Sequence, residues 1–340
     1  MVKKAINDPN NIVQEMIEGF LNLYPGKFKQ LDGISAIVKT ELDPEKVGLL
    51  VGGGSGHEPI FIEFIGKGYP DAVAQGHIFA APSPDIILAA TKAIDRGKGV
   101  LYVYGNYAGD NLNFDMAAEL AEFEGIETAT VRVYDDVASA PLDRITDRRG
   151  IAGDFFVIKI AGAACDAGLD LAEVKRVTEK ARDNTRTMGV AFYPGTIPGE
   201  DTPAFTLPDD EIEIGLGLHG EPGVRRGKMA PADQLVDEMM DLIVQDLPYK
   251  SGDEVCLLID SFGSTTRMEE MVVLRRTVQN LNKLGIKIHD SEAGAYATCQ
   301  EMAGFSITLM KLDDELKKYF DWPVWSPVYS NIGRSTLDGR

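Results

Sequence analysis

The first half of this chain alternates two kinds of segment, and that alternation constrains its fold more than any other feature. The short apolar or β-branched runs KVGLLVGGG, AVAQGHIFA, GVLYVYGNY and TATVRVYDD read as strands. Between them, DIILAATKAIDRG and FDMAAELAEFEG space their apolar residues as amphipathic helices do. Parallel neighbours need a long crossover, and a helix supplies one, so the alternation predicts a doubly wound, mostly parallel α/β sheet. Ligands of such sheets bind beyond the carboxyl ends of the strands.

With 340 residues the chain exceeds a usual single core, and two α/β domains are expected, 1–192 and 193–340. Two helices, DFFVIKIAGAACDAG and DLAEVKRVTEKARDN, complete the first, with Asp170 as N-cap of the second. The stretch YPGTIPGEDTPAFTLPDD, rich in proline, glycine and acids, marks the crossing. The second, smaller domain offers EIEIGLGLHG, EVCLLIDSFG and FSITLMKLD as strands, with helices from about Ala232 and Thr266. Helical spacing puts Met271, Leu274, Val278 and Leu281 on one core-facing side. The tail DWPVWSPVYSNIGRSTLDGR reads as irregular, pinned by Trp322 and Trp325.

A net charge of −19 argues against nucleic acid or anionic membrane as a partner, because the long-range field repels phosphates. No apolar run has membrane-spanning length and MVKKAINDPNN lacks the apolar core of a signal peptide, so a cytoplasmic location is expected. Cys165, Cys256 and Cys299 are odd in number and form no CxxC pair, which suits reduced, buried thiols.

Three elements at predicted strand ends should converge on one crevice: GGGSGHEP (52–59), AAPSPD (80–85) and GNYAGD (105–110). The glycine cluster is no dinucleotide fingerprint, since His57 or Pro59 falls where the third glycine belongs. No Walker A loop occurs, and GGSG is followed by histidine rather than completing a hydrolase elbow. Of four histidines, His77 and His289 read as structural. His57 and His219 are each framed by glycines at a strand end, so each is either a hydrogen-bonded loop residue or a reactive group. Without a nearby ligand cluster they make a poor zinc site. Asp110 is either a helix N-cap or a general base for a hydroxyl.

Taken together, GGGSGHEP, GNYAGDNLNF, ITDRRGIAG, EIGLGLHGEPG, SEAGAYATCQEMAGFSITLMKLDDE and the opening KKAINDPNNIV resemble the substrate-binding subunit of dihydroxyacetone kinases, in one register from about residue 3 to residue 325. The resemblance implies that His219 attacks the ketone carbonyl and holds it as a covalent hemiaminal. It implies that Asp110 orients or deprotonates the terminal hydroxyl with His57 as acid/base partner. Backbone amides of Gly53, Gly54, Ser55 and Gly56 would hold substrate and phosphoryl oxygens. It further implies a homodimer and no cofactor on this chain. Mg-ADP recharged by a phosphohistidine protein, or Mg-ATP, would sit on a separate nucleotide subunit. The chain departs from the family where a lysine usually precedes NYxGD, here Gly105, and where many members have serine, here Ala81. Those departures leave dihydroxyacetone and erythrulose both open as substrate. A non-catalytic, ketone-binding co-activator is the alternative function.

Overall fold

The computed structural model describes residues 3–200, 202–217 and 219–332. Two six-stranded sheets share one layer of helices. The first sheet contains β1 (Phe28–Gln30), β2 (Ala36–Lys39), β3 (Gly48–Ser55), β4 (Ala72–Ile78), β5 (Val100–Gly105) and β6 (Thr128–Val133), in the order β1-β2-β4-β3-β5-β6. β3 runs parallel to β4 and β5, and β5 to β6, as the alternating pattern predicts. The antiparallel β1 and β2 form an edge outside that pattern.

On one face of this sheet lie α2 (Pro84–Ile94) and α3 (Ala108–Phe123), whose Ile87, Ala90, Phe114 and Ala117 pack against Leu50 and Tyr102. The opposite face receives α4 (Asp154–Asp166) and α5 (Leu171–Asp183). α4 is buried from Asp154 to Cys165, because it also packs on the second sheet through Cys256, Leu258, Met310 and Leu312. A helix apolar on every side is what such a central position requires. α5 starts where expected, with the Asp170 carboxylate accepting from the Glu173 N–H at 2.9 Å.

The second sheet has the order β11-β10-β12-β7-β8-β9. Its strands are β7 (Thr185–Tyr193), β8 (Glu211–Ile214), β9 (Arg225–Lys228), β10 (Glu254–Ser261), β11 (Lys287–Gly294) and β12 (Ala303–Leu312). It has as many strands as the first and is mostly antiparallel. It begins at Thr185, ahead of the Pro/Gly-rich stretch. The helices α6 (Ala232–Asp246) and α7 (Arg267–Leu284) cover its outer face. α7 opens with a capping box between Thr266 and Glu269. Its inward face is Val273, Thr277 and Leu281, with Leu274 and Val278 at the margin, whereas Met271 is exposed; the expected core stripe is rotated at that residue. After α8 (Asp314–Phe320), Trp322 donates to Asp166 at 2.8 Å and Trp325 pairs with Lys67, so the tail is pinned as expected. Its last eight residues lie outside the described residues.

Candidate active site

The strand-end loops do converge. Gly52, Gly53 and Gly54 of β3, Ala80 and Ala81 after β4, and Gly105, Tyr107, Ala108, Gly109 and Asp110 at and beyond the end of β5 line a cavity of about 340 Å³, completed by His57, Gly150, Ile151, Asp154 and His219. That volume falls at the lower end of the ~300–1,000 Å³ typical of small-molecule sites.

The glycines of β3 are set by close packing. A Cβ on Gly53 would stand 2.5 Å from the Phe61 ring, one on Gly54 would stand 2.8 Å from the Ala80 amide nitrogen, and one on Gly52 would strike the Ala74 carbonyl. Gly56 takes φ +100°, a conformation that favours glycine, and so turns the chain toward His57. The expected roles of Ser55 and Gly56 are corrected here. The Gly56 N–H donates to the Glu58 carboxylate at 2.9 Å, and the Ser55 hydroxyl donates to the Gly76 carbonyl at 2.7 Å. Both residues line a separate depression beside α1 (Ile12–Leu23), so they do not face the cavity.

The two glycine-framed histidines meet. His57 Nε2 lies 3.0 Å from His219 Nε2, although the residues are 162 positions apart. His57 is buried, and its Nδ1–H donates to the Thr298 carbonyl at 2.6 Å; a carbonyl only accepts, which sets the tautomer. Burial first, and the neighbouring His219 second, push its pKa down to about 3. The half-buried His219 is braced by Glu221, whose carboxylate accepts from the His219 backbone N–H at 3.0 Å and from Nδ1 at 3.3 Å. Burial alone would raise Glu221, but the His219 hydrogen bond and charge, with Arg149, hold it down at about 2. Arg149 is itself fastened by Asp136 at 2.9 Å and donates to the Gly215 carbonyl at 3.1 Å. The Phe79 and Tyr107 rings flank His219 at 5.3 and 5.2 Å.

Asp110 is not an N-cap. That position belongs to Tyr107, and Asp110 occupies the third residue of α3, on the cavity wall. Its Oδ1 is buried without a hydrogen-bond partner among the described residues, and burial raises its pKa to about 6. A carboxyl poised near neutrality and facing a cavity suits a general base.

Sequence reasoning missed several lining residues. Asp154 and Tyr107 both line the cavity, and each carries a buried oxygen without a hydrogen-bond partner among the described residues. One signal pointed to Asp154: an acid opening a helix that is mostly apolar. Glu221 was visible within HGEPG and Arg149 within ITDRRG, but neither had an assigned partner. Among the described residues no group of three or more His, Cys, Asp or Glu is placed to hold a metal ion, and no helix is long and apolar enough to cross a membrane.

Such a fold, with paired histidines over a small cavity, defines a Dak1-domain protein: the Dak1 domain model matches residues 18–328. The chain belongs to this family, that of the substrate-binding subunits of dihydroxyacetone kinases. It is 42% identical over 331 residues to the dihydroxyacetone-binding subunit of PTS-dependent dihydroxyacetone kinase 2 of Listeria innocua, covering 96% of this chain and 99% of that one. It is 38% identical to the L-erythrulose kinase of Pectobacterium atrosepticum, covering 95% of this chain and 55% of the relative. The crystal structure of the dihydroxyacetone kinase from C. freundii in complex with AMP-PNP and Mg2+ superposes with a TM-score of 0.90 at 31% identity, covering 97% of this chain and 61% of that one.

Proposed function

We propose that this chain is the substrate-binding component of a ketose kinase that captures a small ketose on His219 and presents its terminal hydroxyl for phosphorylation. The facing pair of Nε2 atoms, 3.0 Å apart at the cavity wall, carries this reading. Their outer nitrogens are committed to a carbonyl and a carboxylate, both acceptors, so the contact between them needs one shared proton. Burial holds His57 neutral at rest, so attack by His219 requires the transient transfer of that proton to His57. The His219 Nε2 lone pair then forms a bond to the carbonyl carbon, the C=O π pair moves to oxygen, and that oxygen takes the proton from His57 Nε2. His57 ends neutral, and the alkylated His219 ring is a cation beside the ionised Glu221. A polyol has no carbonyl to attack and is not held.

Asp110 takes the proton of the terminal hydroxyl as the hydroxyl oxygen bonds to phosphorus and the bond to the leaving phosphate breaks. The phosphoryl group comes from Mg-ATP, or from Mg-ADP recharged by a phosphohistidine protein, on a separate nucleotide-carrying subunit. The backbone of Gly53 and Gly54, on the cavity wall, accompanies the substrate oxygens.

A crystal soaked with dihydroxyacetone tests the capture: continuous density from His219 Nε2 to the carbonyl carbon is expected, and separate molecules at van der Waals distance would refute it. A coupled assay with the nucleotide subunit tests the transfer. Capture without any phosphorylation would leave the co-activator function instead. A homodimer, of about twice the monomer mass, is expected from scattering in solution.

A further inference from the structure

The proposed capture and transfer account for His57, His219 and Asp110, yet two more residues with polar side chains line the same cavity. Tyr107 Oη and Asp154 Oδ1 are both buried, and neither has a hydrogen-bond partner among the described residues. Asp154 is 3% exposed at the start of α4. Burial, with Asp135 and Asp110 nearby, pushes its pKa well above the usual carboxylate range, which favours a neutral carboxylic acid with one O–H donor and a free acceptor. Buried polar groups in native proteins are paired, and an orphan on a residue that lines a cavity marks a position for a ligand atom.

The residue opposite explains why Asp154 is reachable. Gly105 has no side chain, and a Cβ there would stand only 3.2 Å from Asp154 Oδ2 and 3.4 Å from the Gly150 carbonyl. Any larger residue at 105 would come between this carboxyl and the cavity. Counting oxygens sets the ligand size. With the carbonyl on His219 and one terminal hydroxyl at Asp110, a three-carbon ketose has one hydroxyl left. A four-carbon ketose has two, as many as the unclaimed side chains.

We infer that Asp154, uncovered by Gly105, is a specificity-determining residue that hydrogen-bonds the additional hydroxyl of a four-carbon ketose and favours it over the three-carbon ketose. This rests on the capture proposed above. A site built to bond a hydroxyl discriminates strongly against the analogue lacking it, because its own polar group is then left unpaired.

Isothermal titration of the full chain with erythrulose and with dihydroxyacetone measures the ratio of the two Kd values without the partner subunit. Wild type should bind erythrulose at least tenfold more tightly. Asp154→Ala should collapse that preference about tenfold while dihydroxyacetone changes less than threefold. Asp154→Asn, which retains a donor and an acceptor, should keep most of the preference. Gly105→Ala, which covers the carboxyl without removing it, should lower erythrulose affinity selectively and guards against misfolding of the Asp154 variants. Dihydroxyacetone binding with a ratio unmoved by Asp154→Ala and Gly105→Ala overturns this inference alone. Failure of wild type to bind either ketose overturns the capture proposal with it.

Discussion

The loop after β3 and the loop after β8 each deliver one histidine to the same point, and they hold it in opposite ways. His57 is buried, tied to a backbone carbonyl and driven toward its neutral form. His219 is half-buried and tied to the ionised Glu221. The comparison teaches that two identical side chains acquire different chemistry from their outer partners alone. An acceptor without charge favours a proton relay, and a carboxylate favours a nucleophile that becomes a cation on alkylation.

The largest way to break this pair is His219→Ala, which should abolish the covalent adduct in crystals soaked with dihydroxyacetone while the fold is retained. Asp110→Asn separates capture from transfer: the adduct should persist, and kcat with the nucleotide subunit should fall about a hundredfold or more. In the wild type, a base with a pKa of about 6 makes kcat/KM rise with pH through that value and level off above it. The rise should be missing from the pH profile of the variant.

Glu221→Gln sharpens the comparison by keeping a polar partner and removing its charge. A hydrogen bond to a charged group contributes about 1.5–3 kcal/mol, so ketose affinity by calorimetry should fall about tenfold or more. The last effect concerns stability. The folded pKa of His57 is depressed to about 3 against about 6.5 unfolded, so below pH 6.5 the unfolded chain binds the extra proton. Stability contributed by the neutral ring is present above pH 6.5 and is lost as pH falls toward 3, by up to about 1.4 kcal/mol per pH unit. His57→Asn should therefore flatten the acid side of a Tm-against-pH curve relative to wild type. An unchanged slope would mean that the ring is not held neutral.

Local pattern decided much of this molecule. Period-two apolar runs and helical spacing are short-range properties, which is why β3 to β6, α2, α3, the Asp170 cap and the start of α7 near Thr266 were legible in the sequence. So were His57, His219 and Asp110, because glycines and strand ends mark them locally. β7 is an apolar strand at the centre of the second sheet, but its neighbour β12 lies more than a hundred residues away, and no local signal names that pairing. The 3.0 Å approach of the two histidines depends on loops from different sheets, and on the Gln300 and Thr298 amides bonding back to the Gly56 and His57 carbonyls. Only the folded arrangement shows that Gly56 and Ser55 turn away from the cavity, and that Met271 faces solvent. Asp154 is the clearest case. In the sequence it is one acid opening a helix, and its unpaired oxygen exists only because the shared layer between two sheets buries it. Burial and convergence are long-range quantities, fixed by where distant segments pack, and a one-dimensional pattern does not contain them.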